Sequence, residues 1–439
     1  MRKLISSLTI LSTAFIISAC ADDEENNLAN NNMNNQENNN EVHSDDGNMN
    51  NHENENENDG NDHMADHGHS DGQHDEFASE PENMNPNAEE SLMHNQTKNV
   101  TRLDANSAVD MSIYTSQLVW PATHEENQPG TIILAPLEDW QKSLVSTTLI
   151  HHPNDGPVLF MEDGEISDEV LTEIERLNPI GNEDGVELMV IGDASEETLS
   201  HLNDFNLEEF DGNDAAGFAA DIDDYFSDMI GDVPESVIVA SSEEEAKHYS
   251  LIASNWIAHM NESLLYVDNS GVPESTVEAL EKREGNAKIY VLGSEEMIES
   301  DTIDSLSEYG EVERISGETP TEMSIEFAKY QDPDTTVGWG QDEPGHGLSF
   351  ISTETPDMAI TGSALGHLGK HAPLVWLEDG EVTESLYEYL ADIRPTFDDN
   401  PMGGPYNHSY LLAGVDHVPF SIQGILDEKL EIAGEHGDH

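Results

Sequence analysis

One strand-like segment occurs three times in this chain. Thr131-Ile132-Ile133-Leu134-Ala135 returns as Ser236-Val237-Ile238-Val239-Ala240 and again as Leu348-Ser349-Phe350-Ile351-Ser352, at separations of about 105 and about 111 residues. A second run repeats as closely: Pro157-Val158-Leu159-Phe160-Met161-Glu162-Asp163-Gly164 matches Pro373-Leu374-Val375-Trp376-Leu377-Glu378-Asp379-Gly380, with Ser263 to Gly271 as the middle copy. A third ends in glycine each time: Leu188 to Gly192, Ile289 to Gly293 and Tyr410 to Gly414. Between the second and third runs, apolar residues stand at Val170, Ile174 and Leu177, or at Leu386, Leu390 and Ile393, which is one face of a helix. A period this long describes a small domain and exceeds any solenoid turn.

Continuous apolar strands alternating with amphipathic helices predict a parallel sheet covered on both faces. The fold class expected is therefore α/β, with three tandem Rossmann-like modules over residues 100–209, 210–313 and 314–439.

The seams carry the most specific residues. Arg314-Ile315-Ser316-Gly317-Glu318-Thr319-Pro320 precedes a helix pattern from Glu322 to Tyr330, and Glu431-Ile432-Ala433-Gly434 closes the chain. Thr101-Arg102-Leu103-Asp104 opens the first copy and Phe210-Asp211-Gly212 the second. Pro356 to Leu365 is similar to an Asp-Ala-Leu-Ser helix start, and Pro373-Leu374-Val375-Trp376 to a Pro-Ile-Leu-Leu strand. On these residues, the chain from about Val100 onward resembles the cell wall-binding repeat 2 family. The resemblance implies Rossmann-like modules packed as a pseudo-threefold trimer within one chain, and non-catalytic binding of an anionic wall polymer. The candidate polymer contacts it implies are Val158, Leu159 and Phe160, Leu264, Leu265 and Tyr266, and Leu374, Val375 and Trp376, with Trp339 added as an aromatic face.

Charge modifies that expectation. Lys and Arg number 15 against 92 Asp and Glu, a formal charge of −77. Nucleic acid is excluded as a partner, because phosphate binding needs clustered cations. An anionic polymer would have to be held through bridging divalent cations, or the ligand would be a neutral glycan. Carboxylates this dense also suit a salty or alkaline habitat, where ions screen their repulsion.

The N-terminus reads as an address. Arg2 and Lys3 precede the apolar run Leu4 to Ile17, and Ile17-Ser18-Ala19-Cys20 resembles a lipobox. Residues 1–19 are thus expected to be a lipoprotein signal peptide and Cys20, the single cysteine, the lipidated mature N-terminus on the outer face of a bacterial membrane. Residues 20–99 are built from Asn, Asp, Glu and His with few aliphatics, and are expected to be a disordered spacer with a reach of roughly 50 Å. Within it, His63, His67, His69 and His74 alternate with carboxylates, a ligand set for zinc, nickel or copper. Metal capture by a surface lipoprotein is accordingly one alternative function, and an unrecognised envelope enzyme another.

Chemistry-bearing motifs are sparse. No Gly-x-Gly-x-x-Gly turn follows any of the three strands, so neither a nucleotide nor another cofactor is expected. No His-Glu-x-x-His is present, and Gly362-Ser363-Ala364-Leu365-Gly366 does not fit a nucleophile elbow, so catalysis is not expected. His151 and His152, His259, and His367 with His371 precede the second strand of their modules. In a pseudo-threefold assembly such positions can converge on a shared metal or polymer site. Gly338 to Gly347, with Trp339 and His346, is the one Gly/aromatic-rich loop.

Overall fold

The computed structural model describes residues 74–434 except Glu76, Asp211, Asn213, Lys370, Asp398 and Asp399. The readings made on the signal peptide, Cys20, His63, His67, His69 and most of the spacer lie outside the described residues.

Three four-stranded parallel sheets form the body. The first holds β2 (Ile132–Pro136), β3 (Val158–Met161), β4 (Leu188–Ile191) and β5 (Leu207–Phe210) in the order β3-β2-β4-β5. The second repeats that order with β6 (Ser236–Ser241), β7 (Leu264–Val267), β8 (Ala287–Leu292) and β9 (Gly310–Ile315), as β7-β6-β8-β9. The third has β11 (Leu374–Leu377), β10 (Gly347–Ser352) and β13 (His408–Leu412) in the corresponding places. All pairings within these sheets are parallel. A two-stranded sheet of β12 (Thr396–Phe397) and β14 (Ala433–Gly434) lies at the end of the third module. The nine repeated runs are thus three strands of each module, two central and one (β3, β7 or β11) at the sheet edge. Their side chains are buried on both faces, which is why they read as continuous apolar runs.

The fourth strand of each sheet comes from a seam. β5 and β9 leave the preceding sheet's edge and lead directly into the helices Ala215–Ile230 and Pro320–Lys329 of the next module. Boundaries at 209/210 and 313/314 therefore fall inside strands of the preceding sheets. The third sheet does not take this strand from the residues after β13, which form the helix Phe420–Lys429 and β14, the partner of β12. It uses β1 (Val100–Leu103), which pairs with β13 from Val100↔Ser409 to Leu103↔Leu412. The following helix, Ala108–Val119, covers the first module. The chain thus closes on itself: its first strand completes its last sheet.

Local signals set the helix starts. Ser167 and Thr383 accept from the backbone amides of Val170 and Leu386, and Thr319 and Glu322 form a reciprocal capping box. In the first and third modules the strand-to-helix turn needs Asp-Gly with positive φ at both residues, 50° and 76° at Asp163-Gly164 and 49° and 80° at Asp379-Gly380. A Cβ at Gly380 would stand 2.2 Å from the His417 carbonyl oxygen, so glycine is obligatory there.

The segment before β1 departs from the spacer expectation. Phe77 is buried, with the Arg394 guanidinium 3.7 Å and the Lys429 ammonium 4.4 Å from its ring centre. His74 Nε2 lies 3.2 Å from Asp392 Oδ1, Glu89 accepts from Ser421, and Gln96 exchanges hydrogen bonds with the Arg102 backbone. Residues from about 74 to 99 thus lie along the third module. One aromatic residue and a few amides anchor a stretch whose composition signals only polarity.

Candidate functional site

The nine strand residues assigned to polymer contact are core: Val158, Leu159, Phe160, Leu264, Leu265, Tyr266, Leu374, Val375 and Trp376 are at most 4% exposed. A polymer cannot reach them, because parallel strands between two helix layers have no solvent face. Three of them do something else. Phe160, Tyr266 and Trp376 occupy equivalent positions, and two of the three tie modules together. Tyr266 OH donates to the Gln141 carbonyl across the first interface (2.9 Å), and Trp376 Nε1 donates to the His248 carbonyl across the second (3.0 Å). Side chains return the tie: Gln141 Nε2 donates to Ser242 O and the His248 ring stands 2.9 Å from Thr353 O. Trp140 Nε1 donates to Glu244, and Lys247 pairs with Asp357 at 2.7 Å.

The histidines do converge. The His151 and His367 ring centres are 4.9 Å apart, those of His259 and His367 5.9 Å, and those of His259 and His371 4.6 Å. Each comes from the segment leading into the second strand of a different module, His371 sharing the third module with His367. Trp339 stacks on His259 with an interplanar angle of 11°, Trp256 meets both edge-on, and Phe226 meets His151 edge-on. His152 stays outside the ring contacts, 3.2 Å from Asp155 Oδ2. Burial lowers the pKa of His151 to about 4 and that of His259 to about 3, so both are neutral near pH 7. Burial also pushes the Glu262 carboxyl up to about 7, against the hydrogen bond it accepts from Trp256 Nε1 at 3.1 Å. Asp155, Trp256 and Glu262 were not signalled by sequence; Asp155 meets the His367 ring, Trp256 meets His259, and Glu262 is tied to the group through Trp256. Among the described residues, no three His, Cys, Asp or Glu side chains already surround one metal position. His346 lies apart, its backbone NH donating to Asn407.

A cleft of about 290 Å³ opens at the opposite end of the third sheet, lined by Thr319, Glu322, Glu378, Thr383, Glu384, Ser385 and Glu388. It sits beyond the carboxyl end of β11, between the starts of the helices Pro320–Lys329 and Glu384–Asp392, where open α/β sheets commonly bind ligands. Four glutamates and three hydroxyls give it acceptors for cations or sugar hydroxyls and no cation for phosphate. The seam motif contributes Thr319 and Glu322, two of the seven lining residues, and the sequence reading gave neither a binding role.

The same architecture occurs in solved structures. Cwp6 from Clostridium difficile matches with a TM-score of 0.60 and 15% identity, over 76% of this chain and 48% of that one. Cwp8 from Clostridium difficile matches with a TM-score of 0.58 and 15% identity, over 76% of this chain and 52% of that one. The chain spans about half the length of these structures, and identities this low speak to the fold. No family model matches the sequence. No curated protein matches it either.

Proposed function

We propose that this chain is a lipid-anchored surface protein whose three-module core binds a cell-wall polymer without catalysis. The observation that carries the reading is the three-module fold itself, shared over 76% of the chain with Cwp6 and Cwp8 and joined to the seam residues that resemble cell wall-binding repeats. Cys20 holds the mature chain to the outer face of the membrane, and the Asn/His-rich segment sets the core at a distance. The acidic cleft of the third module is the polymer contact. Its four carboxylates take an anionic polymer through bridging divalent cations, or a neutral glycan through its hydroxyls. Among the described residues, no helix is long and apolar enough to cross a membrane.

Co-sedimentation with purified walls tests this reading, with and without a chelator. Binding should survive deletion of residues 21–73 and should fall when Glu384 and Glu388 are both changed to Gln. Loss of binding on removing 21–73, with the core still folded, would favour metal or wall capture by the His-rich segment instead. Cys20→Ala should release the protein from the membrane fraction; unchanged membrane retention would reject the lipid anchor.

A further inference from the structure

The histidines at the junction of the modules carry an arrangement that the polymer reading does not use. We propose that His151, His259 and His367 form an inter-module site for one divalent transition-metal ion of the zinc class.

Spacing is the first support. Three imidazoles bound tetrahedrally to one ion through nitrogens about 2.0–2.1 Å away hold their ring centres roughly 5 Å apart. The observed separations from His367 are 4.9 Å to His151 and 5.9 Å to His259.

The second support is which nitrogen of each ring is left over. His151 Nδ1 stands 3.0 Å from the His152 carbonyl oxygen, so it carries the proton and Nε2 is the bare acceptor. His367 Nε2 stands 3.5 Å from Asp155 Oδ1, which leaves Nδ1 as the acceptor; that Nδ1 is buried with no hydrogen-bond partner. His259 Nδ1 is likewise buried and without a partner. A ring that donates one NH to a carbonyl or carboxylate and keeps the other nitrogen bare is the usual state of a metal-bound histidine.

Trp339, Trp256 and Phe226 surround these rings with apolar surface that limits water. The three bare nitrogens do not face one point in the described conformation, so binding turns the rings about their side-chain torsions. Because each ligand belongs to a different module, the ion would stitch the ring together at its centre.

The test uses the full chain with His43, His52, His63, His67, His69, His74 and His94 changed to Ala, which removes the imidazoles of the spacer. Zn²⁺ is titrated calorimetrically against excess Mg²⁺, which occupies the surface carboxylates. The expected result is one Zn²⁺ per chain and a melting temperature that rises with Zn²⁺. His259→Ala and His367→Ala should each weaken binding at least tenfold, and Asp155→Asn about 10- to 100-fold through loss of the carboxylate behind His367. Asp155→Asn decides the matter if the histidine variants fail to fold. Absence of stoichiometric Zn²⁺ uptake overturns the site, as does uptake that these substitutions leave unchanged.

Discussion

Strand β9 completes the second sheet as the chain runs on from β8, whereas β1 completes the third sheet from the far end of the sequence, more than 300 residues away in register (Val100↔Ser409). Both outer strands carry an arginine at the same register position, opposite Val291 in one case and Leu411 in the other. Arg314 donates to the carbonyl oxygens of Gly293 and Ile298. Arg102 does the same with Ala413 and Val418, and adds Pro419 O and Gln423 Oε1, at 3% exposure. In the first sheet the equivalent residue, opposite Val190, is the exposed Glu209. The clamp is therefore strongest where the strand is joined least directly to its sheet. A short chain connection holds β5 in place for little entropy, while β1 must close a loop of hundreds of residues, and the extra buried hydrogen bonds offset that cost.

The largest effect should come from removing the closing strand. Deleting residues 1–104 takes away Val100, Leu103 and the Arg102 clamp, a loss of about 6 kcal/mol or more from burial and hydrogen bonding. Limited proteolysis should then cut the third module before the first two; uniform resistance of all three would show that β1 is dispensable. Next, Arg102→Ala should cost about 3 kcal/mol, because it strands buried carbonyl acceptors, and Arg314→Ala about 2 kcal/mol. Urea midpoints measure both, and equal losses would erase the distinction between the two seams.

The middle module carries a buried acid just before its second strand, where the other two have none. Glu262 stands where the first and third modules have Gly156 and Ala372, each just before the residue that leads into the second strand. Its folded pKa of about 7 lies above that of an unfolded glutamate. The stabilisation linked to its proton is thus complete below about pH 4.3 and is lost as pH rises through 7. Glu262→Gln should flatten that slope and leave the protein about 3 kcal/mol more stable at pH 8 than the parent, with little difference at pH 4. Identical pH profiles for the two proteins would contradict it.

The smallest effect belongs to the interfaces themselves. Tyr266→Phe deletes one inter-module hydrogen bond and should cost about 1 kcal/mol. The closing interface has Phe160 at this position, with no hydroxyl or indole NH to lose. A cost above 2 kcal/mol for Tyr266→Phe would mean that the polar ties carry more of the assembly than the shared apolar core.

The repeated strands, their alternation with helices along the chain and the parallel sheet were legible because each is a buried apolar run or an amphipathic period repeated three times. The outer strands were read as the openings of modules, since β1, β5 and β9 are short, half polar and followed at once by a helix start. Nothing local tells Arg102 that its sheet lies at the other end of the chain. The family resemblance marks the second-strand residues as polymer contacts, but Val158, Leu265 and Val375 are buried and repeat for packing. The histidines were placed correctly at equivalent positions, and their meeting was foreseeable from the pseudo-threefold expectation. The pairing of Asp155 with His367 could be found only once the segments leading into the second strands lay side by side.

Closure of the ring by β1 is best tested by hydrogen exchange on the intact chain, followed peptide by peptide. A closed ring predicts that the peptide spanning Val100–Leu103 exchanges as slowly as β13 and loses protection together with it in urea. Exchange of that peptide at the rate of unstructured chain, with β10 and β13 still protected, would contradict it.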